Sequence, residues 1–414
     1  MKKNYDFIIV GGGAAGFFAA ITCAEYAPGA RIAILERGKE VLNKVRISGG
    51  GRCNLTHACF DPRELVDHYP RGSKELLGPF HKFAPGDTIE WFESRGVITK
   101  IEEDGRMFPV TDSSQTIINC LMEAAKKNEV DILTQQNVAQ IISPEDGQKL
   151  WGVRTRGNTV FHGSHLMMAT GSQPHAWELL SHLGHTIVEP VPSLFTFNIK
   201  DKRITGLAGV SVPEADVQIV NERLKASGPL LITHWGLSGP GILRLSAWGA
   251  RQLHQLGYQF ELTINWVPQL GQDRLVEEFT QLRQKKGKSH ISAHSKFNLP
   301  LRLWQHLVAA AGIPENTRWA EATKIQLDKL KEELHQGSYQ VKGKSTFKEE
   351  FVTAGGVELK EIDFTHFRSK KCPGLYLAGE VLNIDAITGG FNFQAAWTGG
   401  WLVGKSIAEK ISKG

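Results

Sequence analysis

Gly11-Gly12-Gly13-Ala14-Ala15-Gly16 interrupts an apolar run, Tyr5 to Val10, and leads into a helix-prone segment that reaches Tyr26. Glycines at this spacing have separate uses: Gly11 permits a tight turn, Gly13 lets the backbone approach a pyrophosphate, and Gly16 lets helix and strand pack closely. Ala14 and Ala15 begin the helix, whose first N–H groups and positive dipole end attract phosphate. A second apolar strand, Arg31 to Leu35, ends at Glu36, twenty residues after Gly16. A carboxylate there accepts from the hydroxyl pair of a ribose. Spacing and residue type together predict a dinucleotide guest.

Further along, Gly49-Gly50-Gly51 predicts a turn whose N–H groups cradle a pyrophosphate, with Arg52 beside it as a cation. Residues 37–52 hold five Lys/Arg (Arg37, Lys39, Lys44, Arg46, Arg52) against one acid, Glu40. That balance suits a phosphate-rich ligand and equally a solvated surface. Three residues stand out as proton donors or carbonyl-polarising groups: His234, Cys53 and Thr353. Each has a plainer reading, His234 as a structural hydrogen-bonder and Cys53 as a packed residue inside the glycine turn. Cys53, His57 and Cys59 lie close together, but no second ligand pair at zinc-like spacing accompanies them, so no metal site is predicted.

The elements that must position these groups are α/β in character. Residues 1–190 read as a Rossmann-like unit: a strand–turn–helix–strand start, a helical stretch from Pro62 to Arg95, a helix from Ser114 to Lys127 capped by Asp112 or Ser113, and short strands around 130–169. Residues 191–270 read as an inserted β-rich domain, from alternation in Leu194–Ile199, Ala215–Val220 and Phe260–Val267. Residues 271–345 read as an inserted helical, basic subdomain, with Leu275, Phe279 and Leu282 near helical spacing, and 346–414 as the return to the first domain. Near the end, Leu375 to Ala378 predicts a strand, followed by Gly379-Glu380, a loop, and a helix opening at about Asn392. Leu230–Thr233 followed by Gly236-Leu237-Ser238-Gly239-Pro240-Gly241 has the wrong glycine spacing, and lacks the acid, for a second dinucleotide turn.

The chain has 414 residues, 41% of them hydrophobic, enough for several domains with full cores. Five widely spaced cysteines without CxxC exclude a disulfide framework and a dithiol redox pair. No apolar run approaches bilayer length, and Lys2 and Lys3 precede a strand rather than a signal sequence, so a cytoplasmic protein without membrane partners is expected. Residues 283–348 carry thirteen Lys/Arg against five acids, with Phe297, Trp304 and Trp319 interleaved. This pattern suits a surface that grips phosphates and stacks bases, or a solvated basic face over buried tryptophans. Oligomeric state is not readable.

The C-terminal strand, Gly379-Glu380 and following helix resemble the ending of two-dinucleotide-domain flavoproteins, and Leu166-Met167-Met168-Ala169-Thr170-Gly171 resembles their returning strand. Ser48-Gly49-Gly50-Gly51-Arg52-Cys53-Asn54-Leu55-Thr56 resembles the SGGGRCN signature of the BaiN/RdsA-like flavoproteins. Further similarity lies in Arg106–Val110, Thr233–Pro240, Thr353–Val357 and the Gly379–Gln394 block, so the resemblance runs over nearly the whole chain. Trp235 and His57 depart from it, where the family more often has a small residue or Thr, and Asn. The resemblance implies non-covalent FAD, held by Gly11, Gly13, Ala14, Ala15, Gly16, Glu36, Arg37, Gly50, Gly51, Arg52, Cys53, Asn54, Val138, Gly171, Gly379, Glu380, Asn392 and Phe393, with NAD(P)H docking transiently as reductant. It implies an oxidoreductase that reduces uracil in ribosomal RNA, gripped through the basic insert, or an enone in a steroid, or oxidises a small amine. A non-catalytic flavin-bound RNA-binding factor is the alternative of a different class. It also implies that the loop bearing His234 covers the flavin.

Overall fold

The computed structural model describes residues 3–144, 150–345 and 352–413. The chain forms two compact units, Met1–Val191 with Val352–Gly414, and Pro192–Phe351. Among the described residues, no helix is long and apolar enough to cross a membrane.

The first unit is organised by Lys3–Val10, which pairs in parallel with Ile32–Leu35 on one side and Val160–Met168 on the other. Asp131–Leu133 and Leu375–Leu377 extend the parallel sheet outward. Phe7, Ile8 and Ile9 are fully buried, as expected of a strand covered on both faces, where the apolar run is continuous rather than alternating. The helix Ala14–Tyr26 follows the first strand, and the helix Phe391–Ile411 packs along it. Their approach depends on glycine: a Cβ at Gly400 would lie 2.6 Å from Ala15 O, and one at Gly404 equally close to Ala19 O. A small antiparallel sheet of Thr56–His57, Arg106–Pro109 and Thr99–Ile101 carries the segment after the second glycine turn. The helical stretch expected from Pro62 is three short helices, Pro62–Val66, Ser73–Phe80 and Pro85–Glu93. The helix Ser114–Lys127 is present, with Ser113 Oγ accepting from Gln115 N.

The second unit is a closed barrel of six strands, Thr196–Ile199, Gly236–Ser238, Lys225–Ile232, Ser211–Ile219, Gln259–Asn265 and Gly337–Ser345. Helices Gln272–Lys286, Leu301–Ala310 and Lys324–Gln336 lie between the last two strands in sequence. Barrel and helices share one hydrophobic cluster that includes Val217, Ile264, Trp304, Trp319 and Tyr339, so residue 270 separates no independent body. Residues 337–345, expected to continue the helical part, are instead the strand that closes the barrel, paired with Gln259–Asn265. Only Tyr339 and Val341 of that strand are apolar and buried, too few for alternation to register in the sequence. The expected return at residue 346 falls on residues 346–351, outside the described ones. Trp304 and Trp319 are no more than 1% exposed, and their burial removes the expected base-stacking role: they are core. Gly236–Ser238 is a barrel strand and Pro240 opens a helix, so the GLSGPG segment serves the barrel and not a nucleotide turn.

Candidate functional site

The site is built at the C-terminal ends of the parallel strands. Gly11 adopts φ 114°, and a Cβ there would sit 2.3 Å from Ala169 O, so the turn is pressed against the end of Val160–Met168. Gly13 precedes the helix without a side-chain cap, leaving the first N–H groups of that helix uncovered by any side chain. A Cβ at Gly13 would meet nothing within 4 Å. The turn is therefore open at Gly13, where an uncapped helix start can accept a phosphate. Glu36, at the end of Ile32–Leu35, is fixed by two amides: Gly12 N donates to one carboxylate oxygen at 2.9 Å and Gly38 N to the other at 2.6 Å. Its remaining lone pairs are free for a ribose. Arg37 is exposed beside it.

Two other segments reach the same turn. Gly379 lies with its Cβ position 3.5 Å from Ala15 Cβ in the first turn of the helix. Glu380 follows, ion-paired with Lys44, and Ser172 Oγ lies 3.5 Å from the same carboxylate oxygen. Gly171, at φ 61°, is beside both: its Cβ position is 3.8 Å from Lys44 Nζ and 3.9 Å from Glu380 Oε2. The strand Val352–Val357 adjoins this segment, with Val357 N donating to Val381 O and Asn383 N to Val357 O. Asn383 Oδ1 is buried without a partner among the described residues. An open turn at an uncapped helix start, with a carboxylate fixed beside it, fits a bound dinucleotide.

The second glycine turn has the left-handed backbone its composition predicts: Gly49, Gly50 and Gly51 take φ 58°, 69° and 85°. Gly50 and Gly51 face open space. Arg52 is engaged elsewhere. Its guanidinium donates to Glu102 at 2.6 Å, lies 3.5 Å from Asp112 and stands over the Phe108 ring at 3.9 Å. Cys53 is fully buried at φ 63°, and burial pushes its thiol up to about 12, which suits packing and not proton delivery at neutral pH. The hydrogen-bond network orients the Asn54 amide so that its nitrogen donates to Thr56 O and its oxygen accepts from Gly390 N, a bond that ties the turn to the helix Phe391–Ile411. Phe391 clusters with His57 and His68, at centroid distances of 4.5 and 4.2 Å, the two imidazoles being 5.8 Å apart. Burial lowers the His57 pKa, partly offset by its contact with the Asp104 carbonyl.

The remaining expected residues are placed as follows. Asn392 spends its side chain on Ala386, accepting from its N and donating to its O. Phe393 is half-buried and stacks on Trp397. Val138 is buried at the start of its strand, its carbonyl accepting from His175 Nε2 at 3.1 Å. Thr353 is buried in Val352–Val357 in the first unit. His234 is exposed in the second unit, at a turn where Thr233 Oγ1 accepts from the amides of Trp235 and Gly236. Sequence reasoning counted Lys44 only as one of five cations and missed Arg71 and the buried Asp385, which form an ion pair under the C-terminal loop. Asp385 lies inside a quoted motif, but nothing in its spacing announces Arg71.

A 3-dehydro-bile acid delta(4,6)-reductase of Clostridium scindens is 27% identical over 411 residues, covering 97% of this chain and 98% of that protein. A ribosomal RNA dihydrouridine synthase of Haemophilus influenzae is 27% identical over 421 residues, covering 99% of this chain and 100% of that protein. The solved 3-ketosteroid-delta4-(5alpha)-dehydrogenase of Rhodococcus jostii RHA1 shares the fold, with a TM-score of 0.52 at 14% identity over 98% of this chain and 97% of that one. The HI0933-like protein Rossmann domain family matches residues 5–406. With the glycine turn, the Glu36 carboxylate and the returning C-terminal strand in place, and the family model matched over residues 5–406, the chain belongs to the HI0933-like Rossmann family.

Proposed function

We propose that this chain, an FAD-dependent oxidoreductase by its family, holds FAD non-covalently, is reduced by transiently docked NAD(P)H, and reduces a conjugated carbon–carbon double bond, with uracil in ribosomal RNA as the substrate. The observation that carries the reading is the approach of Gly379 to Ala15 in the first turn of the helix, with Glu380 beside Gly171. FAD held at this turn would supply the hydride for reduction of a double bond conjugated to a carbonyl. Glu36 holds the adenosine ribose, the uncapped helix at Ala14 takes the phosphates, and the helix start at Phe391 directs its positive end at developing negative charge. Of the three proton-donor candidates, Cys53 and Thr353 are buried and His234 is exposed in the second unit. Dihydrouridine synthesis and bile acid reduction, the activities in the relatives' names, are the same chemistry on different acceptors.

The RNA substrate is supported by the end of the helix Gln272–Lys286. Arg283, Lys285, Lys286 and Lys288 are all exposed there, and Lys296 has its pKa lowered by burial and by the charge of Lys286. Such crowding of like charge favours an anion. A small-molecule enone is the second reading, favoured by the burial of Trp304 and Trp319. Nucleoside analysis of ribosomal RNA from cells with and without the protein separates the two. Loss of dihydrouridine supports RNA; unchanged dihydrouridine with flavin-dependent enone reduction in vitro replaces RNA by the small molecule.

A further inference from the structure

We infer that Lys44 is the cation that takes the charge of the dinucleotide's diphosphate, and that it does so by exchanging Glu380 for the phosphate. The inference rests on the cofactor reading above and adds to it a residue and an exchange of partners.

Lys44 Nζ is bonded to Glu380 and stands 3.8 Å from the Cβ position of Gly171. Glu380 itself follows Gly379, packed on Ala15 in the first turn of the phosphate-facing helix. The ion pair thus sits at the mouth of the open turn. A diphosphate arriving there meets Glu380 as a like charge, and without a cation to share, that repulsion opposes binding. Arg52, the cation expected from the sequence, is held by Glu102, Asp112 and Phe108. Arg46 donates to Gln115 and lies 3.8 Å from Glu40. Arg37 adjoins Glu36, at the ribose end. Lys44 is suited to the exchange: its side chain is 52% exposed, and an ammonium on a four-carbon stem reorients readily. A half-exposed pair holds it weakly. Once Lys44 has moved, Glu380 retains its acceptor capacity for a ligand hydroxyl.

The test is FAD titration of the cofactor-stripped full chain, followed by flavin fluorescence at low and moderate salt, with ADP as a competing diphosphate probe. Lys44→Gln is expected to weaken FAD roughly tenfold at low salt, the loss of one charge-assisted bond. Its affinity should then fall less with added salt than that of the wild type, because the screened interaction is gone. ADP should lose affinity in parallel. Lys44→Arg restores both the affinity and the salt dependence, and an unchanged far-UV circular dichroism spectrum shows that Lys44→Gln is folded but lacks the charge. Arg52→Gln changes the salt dependence less than Lys44→Gln does. If Lys44→Gln matches the wild type in affinity and salt dependence and lowers only the thermal midpoint of the stripped protein, Lys44 is a structural partner of Glu380 and the inference is overturned. If the wild type takes up no FAD, the cofactor reading falls first and this inference falls with it.

Discussion

Arg71 grips the carboxylate of Asp385 with both Nε and an Nη nitrogen, across 314 positions of sequence. The carboxylate is fully buried and the guanidinium only 14% exposed. Together with Ile387 N donating to His68 O at 3.0 Å, this pair fastens the loop between Glu380 and Phe391 to the segment before Ser73–Phe80. Truncating the cation strands a buried charge, which costs several times what the pair contributes as a whole. Arg71→Gln is therefore expected to lose about 3 kcal/mol in urea denaturation and to shed flavin more readily. A loss below about 1 kcal/mol would place the pair among ordinary surface bridges.

Glu36 offers a direct check on the dinucleotide. Its oxygens are pinned by Gly12 N and Gly38 N, so Glu36→Ala removes a prearranged ribose acceptor and frees the turn. FAD affinity is expected to fall roughly tenfold. The flavin released from wild-type protein by acid should chromatograph as FAD and leave a colourless pellet. Recovery of FMN, or a yellow pellet, contradicts the reading.

Glu361 provides a pH signature. Burial raises its pKa, but hydrogen bonds from Lys371, Thr186 and His185 outweigh burial and hold the carboxyl down at about 2, against an ordinary 4.5. A depressed carboxylate stabilises the fold fully above its unfolded pKa, and that contribution fades as pH falls. The contribution, on the order of 2 kcal/mol, should be present at neutral pH and disappear between about 4.5 and about 2. Glu361→Gln should be less stable than the wild type at neutral pH, with the gap closing across that acidic window. A gap independent of pH would mean that geometry, and not charge, holds the site.

The basic end of Gln272–Lys286 carries the RNA reading. Changing Arg283, Lys285, Lys286 and Lys288 together to Gln should flatten the salt dependence of RNA binding and weaken it by a similar factor across sequences. Flavin content should not move. If this variant restores normal dihydrouridine to ribosomal RNA in cells lacking the native protein, the cluster is a solvated face and the small-molecule reading takes precedence.

The strand–turn–helix at Gly11–Gly16 was legible in the sequence because its requirements are local. Gly11, Gly13 and Gly16 answer to backbone sterics within one strand–turn–helix, and Glu36 to the length of that unit. The position of Ser114–Lys127 was legible for the same reason, its cap Ser113 standing immediately before its fourteen residues. Gly337–Ser345 was not legible, because what makes it a strand is its pairing with Gln259–Asn265, and two buried apolar residues leave no pattern of their own. The partners of charged side chains lay equally outside the sequence. Arg52 has the right type and place for a phosphate, yet Glu102 and Asp112, fifty and sixty residues on, draw it away. Lys44 was one cation among five until the fold set it beside Glu380. Sequence spacing determines which backbone can turn and where amides point; which opposite charge stands within reach is decided only when distant segments are brought together, since that attraction acts over a few ångströms of space and not along the chain.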